Sequence, residues 1–161
     1  GSSKDVTDNS NGQNGQVHDQ QTEHRIIFED IEQGDSLFAS IQKTYCFGKC
    51  PVYTMKIYNR GYVSFFGKAN VDMLGDFMTV IRGEDMVKFI DVANEINYFD
   101  LDENYDNPQV MDLPSTTTSI VLNGKRKTVR RRVDYPQKIK TFEKLFEDLI
   151  QNAEWVAETV K

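Results

Sequence analysis

The fold of this 161-residue chain is constrained most strongly by two groups of strand-like segments, each followed by one helix-like segment. In the strand-like segments apolar and polar residues alternate, and alternation with period two is typical of strands that bury one face. In the first group this alternation occurs at residues 37–42, 53–58, 62–66 and 76–82. Met86–Ile96 then carries apolar residues at helical spacing, behind the acidic Glu84 and Asp85 that suit a helix N-terminus.

The second group consists of two predicted strands joined by a tight turn. Thr116–Leu122 and Lys125–Val133 flank Asn123-Gly124, a dipeptide typical of two-residue hairpins. Pro136 occupies the place of a first helical residue, and an apolar stripe at helical spacing follows it. The sequence therefore predicts an α+β domain: an antiparallel sheet in the order ββββ-α-ββ-α with two helices packed on one face.

Charge and composition divide the chain near residue 35. Residues 1–35 carry the whole net charge of −6, and the first 24 are rich in Asn, Gln, Ser, Asp and Gly. We expect residues 1–35 to form a disordered acidic tether and residues 36–161 to form a single domain. Because that domain is neutral overall, the sequence does not favour nucleic acid as a partner.

Both cysteines lie in one short segment between the first two predicted strands. Cys46 and Cys50 are four residues apart, and Gly48 between them allows the sharp turn that a disulfide needs. The alternatives are two inert thiols, a redox-active pair, or two ligands of a zinc site. A disulfide would place the protein in an oxidising compartment.

Histidine is absent from the predicted domain, since His18 and His24 both lie in the tether. A Ser-His-Asp or Cys-His nucleophile system therefore cannot be assembled from residues 36–161. No glycine-rich phosphate-binding motif is present. We expect a protein without catalytic activity and without a cofactor, although carboxylate, Lys or Tyr chemistry stays open.

An acidic loop places oxygen atoms at alternate positions, as calcium loops do. The candidate calcium ligands are Asp100, Asp102, Asn104 and Asp106. An EF-hand would need Gly and Glu at the positions that Tyr105 and Met111 occupy here. A solvated acidic loop explains the pattern better, and we expect no bound metal.

Two groups of side chains are candidates for binding. The hairpin 125–132 is basic, and strand alternation predicts Arg126, Arg130 and Arg132 on one side of it. It is either a charged edge strand, paired with the acidic loop or a helix acid such as Glu143, or a site for an anion such as phosphate, a sulfated glycan or a lipid head group. The second group is aromatic, because aromatic side chains are favoured at binding surfaces. Its members are Tyr53, Tyr58, Tyr62 and Phe66.

A cysteine–proline motif identifies a family. The pattern Cys-Phe-Gly-x-Cys-Pro-x-Tyr starts at Cys46 and continues with Ile57, Gly61, Val63, Phe66 and Gly67, and Asp-x-Pro-Ser-Thr starts at Asp112. With these motifs the chain resembles, over residues 36–150, the uncharacterised bacterial family called domain of unknown function 6438. The resemblance implies a Bacteroidota envelope protein at the periplasmic or outer surface. It also implies a lipid anchor on a segment that is missing here.

The prediction that follows is a non-catalytic, envelope-tethered module that binds an unknown envelope protein, glycan or anionic ligand as a monomer. It would contact the membrane only through the missing anchor. Two alternatives stay open. One is a thiol redox or disulfide-handling protein using Cys46 and Cys50, and the other is an anion-binding or inhibitory module using the basic hairpin.

Overall fold

A computed structural model gives the structure of residues 35–158. Residues 1–34 of the predicted tether, with His18 and His24, lie outside the described residues, as do residues 159–161 of the predicted domain. Asp35, the last residue of the predicted tether, pairs with Arg60 at 2.9 Å from Oδ1 to Nε.

The described chain contains eight strands and two α-helices, with one 3₁₀ turn (Tyr98–Asp100) after the first helix. In chain order they are β1 (Leu37–Lys43), β2 (Val52–Tyr58), β3 (Tyr62–Ala69), β4 (Gly75–Val80), α1 (Gly83–Glu95), β5 (Asn104–Tyr105), β6 (Thr116–Leu122), β7 (Lys125–Arg131), α2 (Ile139–Asn152) and β8 (Val156–Ala157). The sequence pattern predicts the six longer strands and both helices, but not β5 and β8. The predicted order ββββ-α-ββ-α is therefore incomplete.

All eight strands belong to one sheet with the order β5-β7-β6-β1-β2-β3-β4-β8. Every neighbouring pair is antiparallel except β5 and β7, which are parallel. The prediction of a purely antiparallel sheet is wrong for this reason. The loop after α1 returns alongside β7, where the amides of Arg130 and Arg132 donate to the carbonyls of Glu103 and Tyr105, each at 2.9 Å. A two-residue strand has no alternation that a sequence could reveal.

Both described helices pack on the same face of the sheet, with the hydrophobic core between. Strand residues alternate between faces, so every second side chain of β1, β2 and β3 enters this core. The most deeply buried of these include Ile41, Met55, Ile57, Val63 and Phe65. Phe89 of α1 meets Phe142 and Phe146 of α2 at ring-centroid distances of 5.9 and 4.9 Å. These aromatic contacts fix the two helices against each other and against the sheet.

Helix α2 begins at Ile139, three residues later than Pro136, where the sequence predicts its start. Residues 136–138 form a tighter turn, in which the amide of Ile139 donates to the carbonyl of Pro136 at 3.2 Å. Beyond the other end of α2, the indole of Trp155 donates to the carbonyl of Leu149 at 3.1 Å, and the amide of Ala153 donates to the same carbonyl at 3.0 Å.

Within residues 35–158, no helix has the length and apolar content that crossing a bilayer requires.

Candidate functional site

Cys46 and Cys50 form a disulfide in the loop between β1 and β2, with an S–S distance of 2.04 Å. Hydrogen bonds fix both ends of the loop. The amide of Thr44 donates to the carbonyl of Ser115 at 3.1 Å, and the side-chain amide of Asn70 donates to the carbonyl of Cys50 at 3.0 Å. Phe47 at the tip is 86% exposed. The bridge therefore closes a small, anchored loop whose tip faces solvent.

The two segments that carry the family resemblance meet at this end of the sheet. Ser115, from the Asp-x-Pro-Ser-Thr segment, donates its amide to Oγ1 of Thr44, just before the cysteine loop, at 2.9 Å. Gly67, from the first segment, permits a close approach, because a Cβ there would lie 1.8 Å from the carbonyl oxygen of Met73. Some residues of the family motif, such as Gly67, are therefore explained by the local backbone conformation and not by a side-chain contact.

A cleft of about 640 Å³ lies beside the cysteine loop, on the helix side of the sheet. Its walls include Lys43, Tyr53 and Glu147, and the Lys43 ammonium lies 3.6 Å from the Glu147 carboxylate. Tyr53 is buried and stacks on Phe65 with ring centroids 5.2 Å apart. Burial, with a smaller contribution from the charge of Glu147, raises the pKa of its phenol far above the usual value. Tyr53 is therefore mainly a core residue.

The other face of the sheet, here called the polar face, carries the side chains that alternate with the core residues. It includes Gln42, Thr54, Lys56, Tyr58, Tyr62, Ser64, Phe66, Lys68, Asp76, Arg126 and Arg130. Tyr58 and Tyr62 lie on this face, whereas Tyr53 points to the helices. The three tyrosines predicted as one group therefore do not share a surface.

Two adjoining depressions lie on the polar face, the second of them at its edge next to the cysteine loop. One, of about 320 Å³, is lined by Lys56, Tyr58, Ser64 and Asp76, among others. The other, of about 280 Å³, is lined by Gln42, Thr44, Tyr45 and Lys68, among others. Both include Thr54 and Phe66, and Phe66 is 44% exposed. An aromatic ring thus lies between two small hollows, each of which has both polar and apolar walls.

Basic groups outnumber acidic ones on most of the polar face. Lys56, Lys68 and Arg126 are exposed on β2, β3 and β7, whereas Asp76 on β4 is the acid that lines a depression. The ammonium of Lys68 also lies 5.5 Å from the centroid of the Tyr45 ring, within cation–π range. The sequence analysis did not name Lys56 and Lys68 as candidate binding residues. Lys56 lies two residues before Tyr58 and Lys68 two residues after Phe66. Strand alternation could therefore have predicted that each lysine shares a face with that aromatic residue.

The arginines of the basic hairpin have different surroundings. Arg126 is exposed and forms no ion pair within residues 35–158. Arg130 donates to Asp106 at 3.1 Å and to Asn104 at 3.0 Å. Arg132 follows the end of β7 and donates to Asp106 at 2.6 Å and to the carbonyl of Val110. Arg130 and Arg132 therefore pair with the acidic loop, as one of the two interpretations of the hairpin predicts. Only Arg126 of the three remains available to an anion.

The acidic loop does not assemble the candidate calcium ligands. Hydrogen bonds from Arg130, and then from Arg132, lower the pKa of the Asp106 carboxyl. Asn104 also accepts from Arg130. Within residues 35–158, no three His, Cys, Asp or Glu side chains are grouped as metal ligands, so Asp100 and Asp102 do not join Asp106. The arginines therefore bond the side-chain oxygens of Asn104 and Asp106, two of the four candidate ligands.

Comparison with known proteins adds a family assignment. The chain matches no curated protein. A family model described as "Domain of unknown function (DUF6438)" matches residues 38–150, from β1 to the last turn of α2. The matched residues include the disulfide loop, the polar face and the basic hairpin. The chain therefore belongs to the DUF6438 family.

Proposed function

We propose that this chain is a non-catalytic binding module of the bacterial cell envelope and that the polar face is its binding surface. The observation that carries the proposal is that Tyr58, Phe66 and Arg126, from three different strands, lie on one face of the sheet. Aromatic and arginine side chains supply much of the binding energy at protein surfaces. Side chains dispersed in the sequence thus form one continuous candidate surface.

The proposed location is the periplasm or the outer surface of a Bacteroidota cell. The Cys46–Cys50 disulfide supports it, because disulfides persist in oxidising compartments. Residues 1–35 would serve as the tether, with a lipid anchor on a preceding segment. The domain would act as a monomer on an envelope protein, a glycan or another anionic ligand, and not on nucleic acid.

The test is binding of the chain to separated envelope fractions: sacculi, purified polysaccharide, lipid vesicles and envelope proteins, each immobilised. The test variant is Lys56→Glu/Phe66→Ala, which changes one charge and one ring on the polar face. The matched control is Lys88→Glu/Phe47→Ala, which changes an exposed lysine of α1 and the exposed ring of the cysteine loop.

We expect at least one fraction to bind the wild type and the control equally well and to bind the polar-face variant at least tenfold more weakly. The proposal fails if no fraction binds, or if both variants lose binding to the same extent. Circular dichroism of both variants establishes that they are folded.

A thiol redox function is the second candidate, and the favouring observation is that the bridged loop has an exposed tip. The two functions differ in reduction potential. A structural disulfide has a potential below about −300 mV, whereas catalytic ones lie between about −270 and −120 mV. Equilibration of the pair with glutathione buffers, followed by alkylation and mass spectrometry, separates them.

A further inference from the structure

We infer that the ligand of the polar face is an anionic glycan, a chain of sugar rings that carries carboxylate or sulfate groups. The inference rests on the proposed function, because it names the ligand class of the same surface. Three properties of the face support it: the exposed Phe66, the small hollows with hydroxyl and amide groups on either side, and the distribution of charge.

Phe66 offers a flat apolar platform in polar surroundings. Its ring is 44% exposed and borders both depressions. Its neighbours across the sheet are Thr54 on β2 and Asp76 on β4. A sugar ring has faces that carry C–H groups and an edge that carries hydroxyls. Its face can therefore stack on the aromatic ring while its edge meets polar side chains.

The depressions suit the separate units of a chain. Their volumes, about 320 and 280 Å³, lie at the lower limit of small-molecule sites, which span about 300–1,000 Å³. Thr54 and Ser64 line the first and Gln42 and Thr44 the second. Hydroxyl and amide groups both donate and accept hydrogen bonds, as sugar hydroxyls do. Two small hollows on either side of a ring, each with both polar and apolar walls, fit consecutive sugars.

The charged side chains of the polar face indicate the sign of the ligand's charge and the direction in which the ligand would lie across the strands. Lys56 lines one depression, Lys68 lines the other, and Arg126 is exposed on β7. Asp76 on β4 is the one acid that lines the depression of Lys56, and Glu158 follows β8 at that edge of the sheet. Four strand spacings separate β3 from β7, roughly 19 Å at about 4.8 Å each. The register places Arg130 directly across the strands from Phe66, and Arg126 lies four residues further along β7, so an anionic chain would run obliquely from β3 towards Arg126.

A protein partner matches the face less well. The centre of a protein interface is a contiguous apolar patch depleted of charge. Here the exposed apolar side chains are separated: Phe66 pairs with Asp76, and Val80 lies four residues further along β4. Lysines also lie beside the central ring, where a protein interface would have apolar groups.

The experiment is calorimetric titration of the full chain with matched probes. Oligogalacturonate and chondroitin sulfate are the anionic glycans, fully methyl-esterified oligogalacturonate is the neutral glycan, and poly-glutamate of similar length is the anion without sugars. We expect both anionic glycans to bind at least tenfold more tightly than the methyl ester and the poly-glutamate. The affinity should fall as the salt concentration rises.

The variants assign the binding to the polar face. Lys56→Gln and Lys68→Gln should each weaken binding about two- to fivefold. Phe66→Ala should weaken it about three- to tenfold, whereas Phe66→Tyr keeps the ring and should bind as the wild type does. Asp76→Asn removes a repulsive charge and should strengthen binding. The controls Lys88→Gln and Phe47→Ala should change nothing.

The experimental results distinguish a failure of this inference from a failure of the proposed function. Equal binding of the methyl ester contradicts the requirement for charge, and equal binding of poly-glutamate contradicts the requirement for sugar. Absence of binding to either anionic glycan overturns the inference. If the envelope-fraction experiment nevertheless detects binding that the polar-face variant loses, the proposed function stands with another ligand. If that binding is also absent, both fail.

Discussion

Glu143 of α2 accepts two hydrogen bonds from the guanidinium of Arg131 of β7, at 2.8 Å from Nε and 2.5 Å from Nη2. Their side chains are 3% and 13% exposed, so little water screens the pair. Burial alone would lower the pKa of Arg131, but the hydrogen bonds and charge of Glu143 outweigh this and raise it. The pair joins the basic strand to α2 on the side of the sheet opposite the polar face.

Removing one partner of this ion pair should destabilise the fold. Glu143→Ala leaves the Arg131 charge largely buried without compensation, which costs about 3–5 kcal/mol. Urea unfolding measures the change, and Glu147→Ala is the control because the Lys43–Glu147 pair is more exposed and should contribute less than about 1 kcal/mol. The double variant Arg131→Met/Glu143→Leu should recover much of the loss. Equal effects of the two single variants would contradict this account of the pair.

The disulfide should contribute stability but not binding. Replacing both Cys46 and Cys50 with Ser removes a constraint on a short loop, for which chain entropy predicts a loss of about 2 kcal/mol. Thermal unfolding measures this loss, and reduction of the wild type should reproduce it. Envelope binding should persist below the new melting temperature. Loss of binding by the folded double-serine variant would instead favour a direct role of the loop.

Asp106 should make stability depend on acidic pH. Its pKa is lowered by Arg130 and Arg132 from the ordinary 3.8, so the folded state favours the charged carboxylate. The resulting stability is fully present above the ordinary value, and it is lost as the pH falls through the lowered pKa. The difference in unfolding free energy between the wild type and Asp106→Asn should therefore shrink below about pH 4. Urea titrations from pH 7 to pH 2 measure it, and a constant difference would contradict the pairing.

Tyr98 should make the stability of the fold depend on alkaline pH. Its hydroxyl lies 2.7 Å from Oγ1 of Thr118, and burial raises its pKa although this hydrogen bond opposes the shift. The unfolded chain therefore ionises first, and the stability that the phenol contributes is lost as the pH rises above about 10. Tyr98→Phe should cost about 0.5–1.5 kcal/mol at neutral pH, and the deficit should narrow in alkali. A deficit that widens above pH 10 would contradict this assignment.

The sequence predicts the long elements because their burial repeats with a clear period. Met55 and Ile57 alternate with Thr54 and Lys56, and this pattern alone predicts β2 and its two faces. The two-residue strands β5 and β8 escape prediction because backbone hydrogen bonds made by the tertiary fold define them. The start of α2 is misplaced because a proline suits a preceding tight turn as well as a first helical residue.

The candidate site is only partly predictable for a similar reason. Alternation places Tyr53 on the apolar face of β2 with Met55 and Ile57, and Tyr58 on the other face, so it could have separated two tyrosines that were predicted as one group. It does not reveal which charged side chains the loops reach. The pairing of Arg130 and Arg132 with Asp106 depends on how a long loop returns to β7. The local sequence allows that pairing but does not select it over anion binding.

The most direct test of the polar face as the binding surface is a nuclear magnetic resonance titration of the isotope-labelled full chain with oligogalacturonate. We predict that the amide signals of Thr54, Lys56, Phe66, Lys68 and Arg126 shift in a saturable manner, while those of Glu147 and Gln151 at the helix-side cleft stay unchanged. Shifts confined to the cleft or to the cysteine loop, with the signals of the polar face unmoved, would contradict the account.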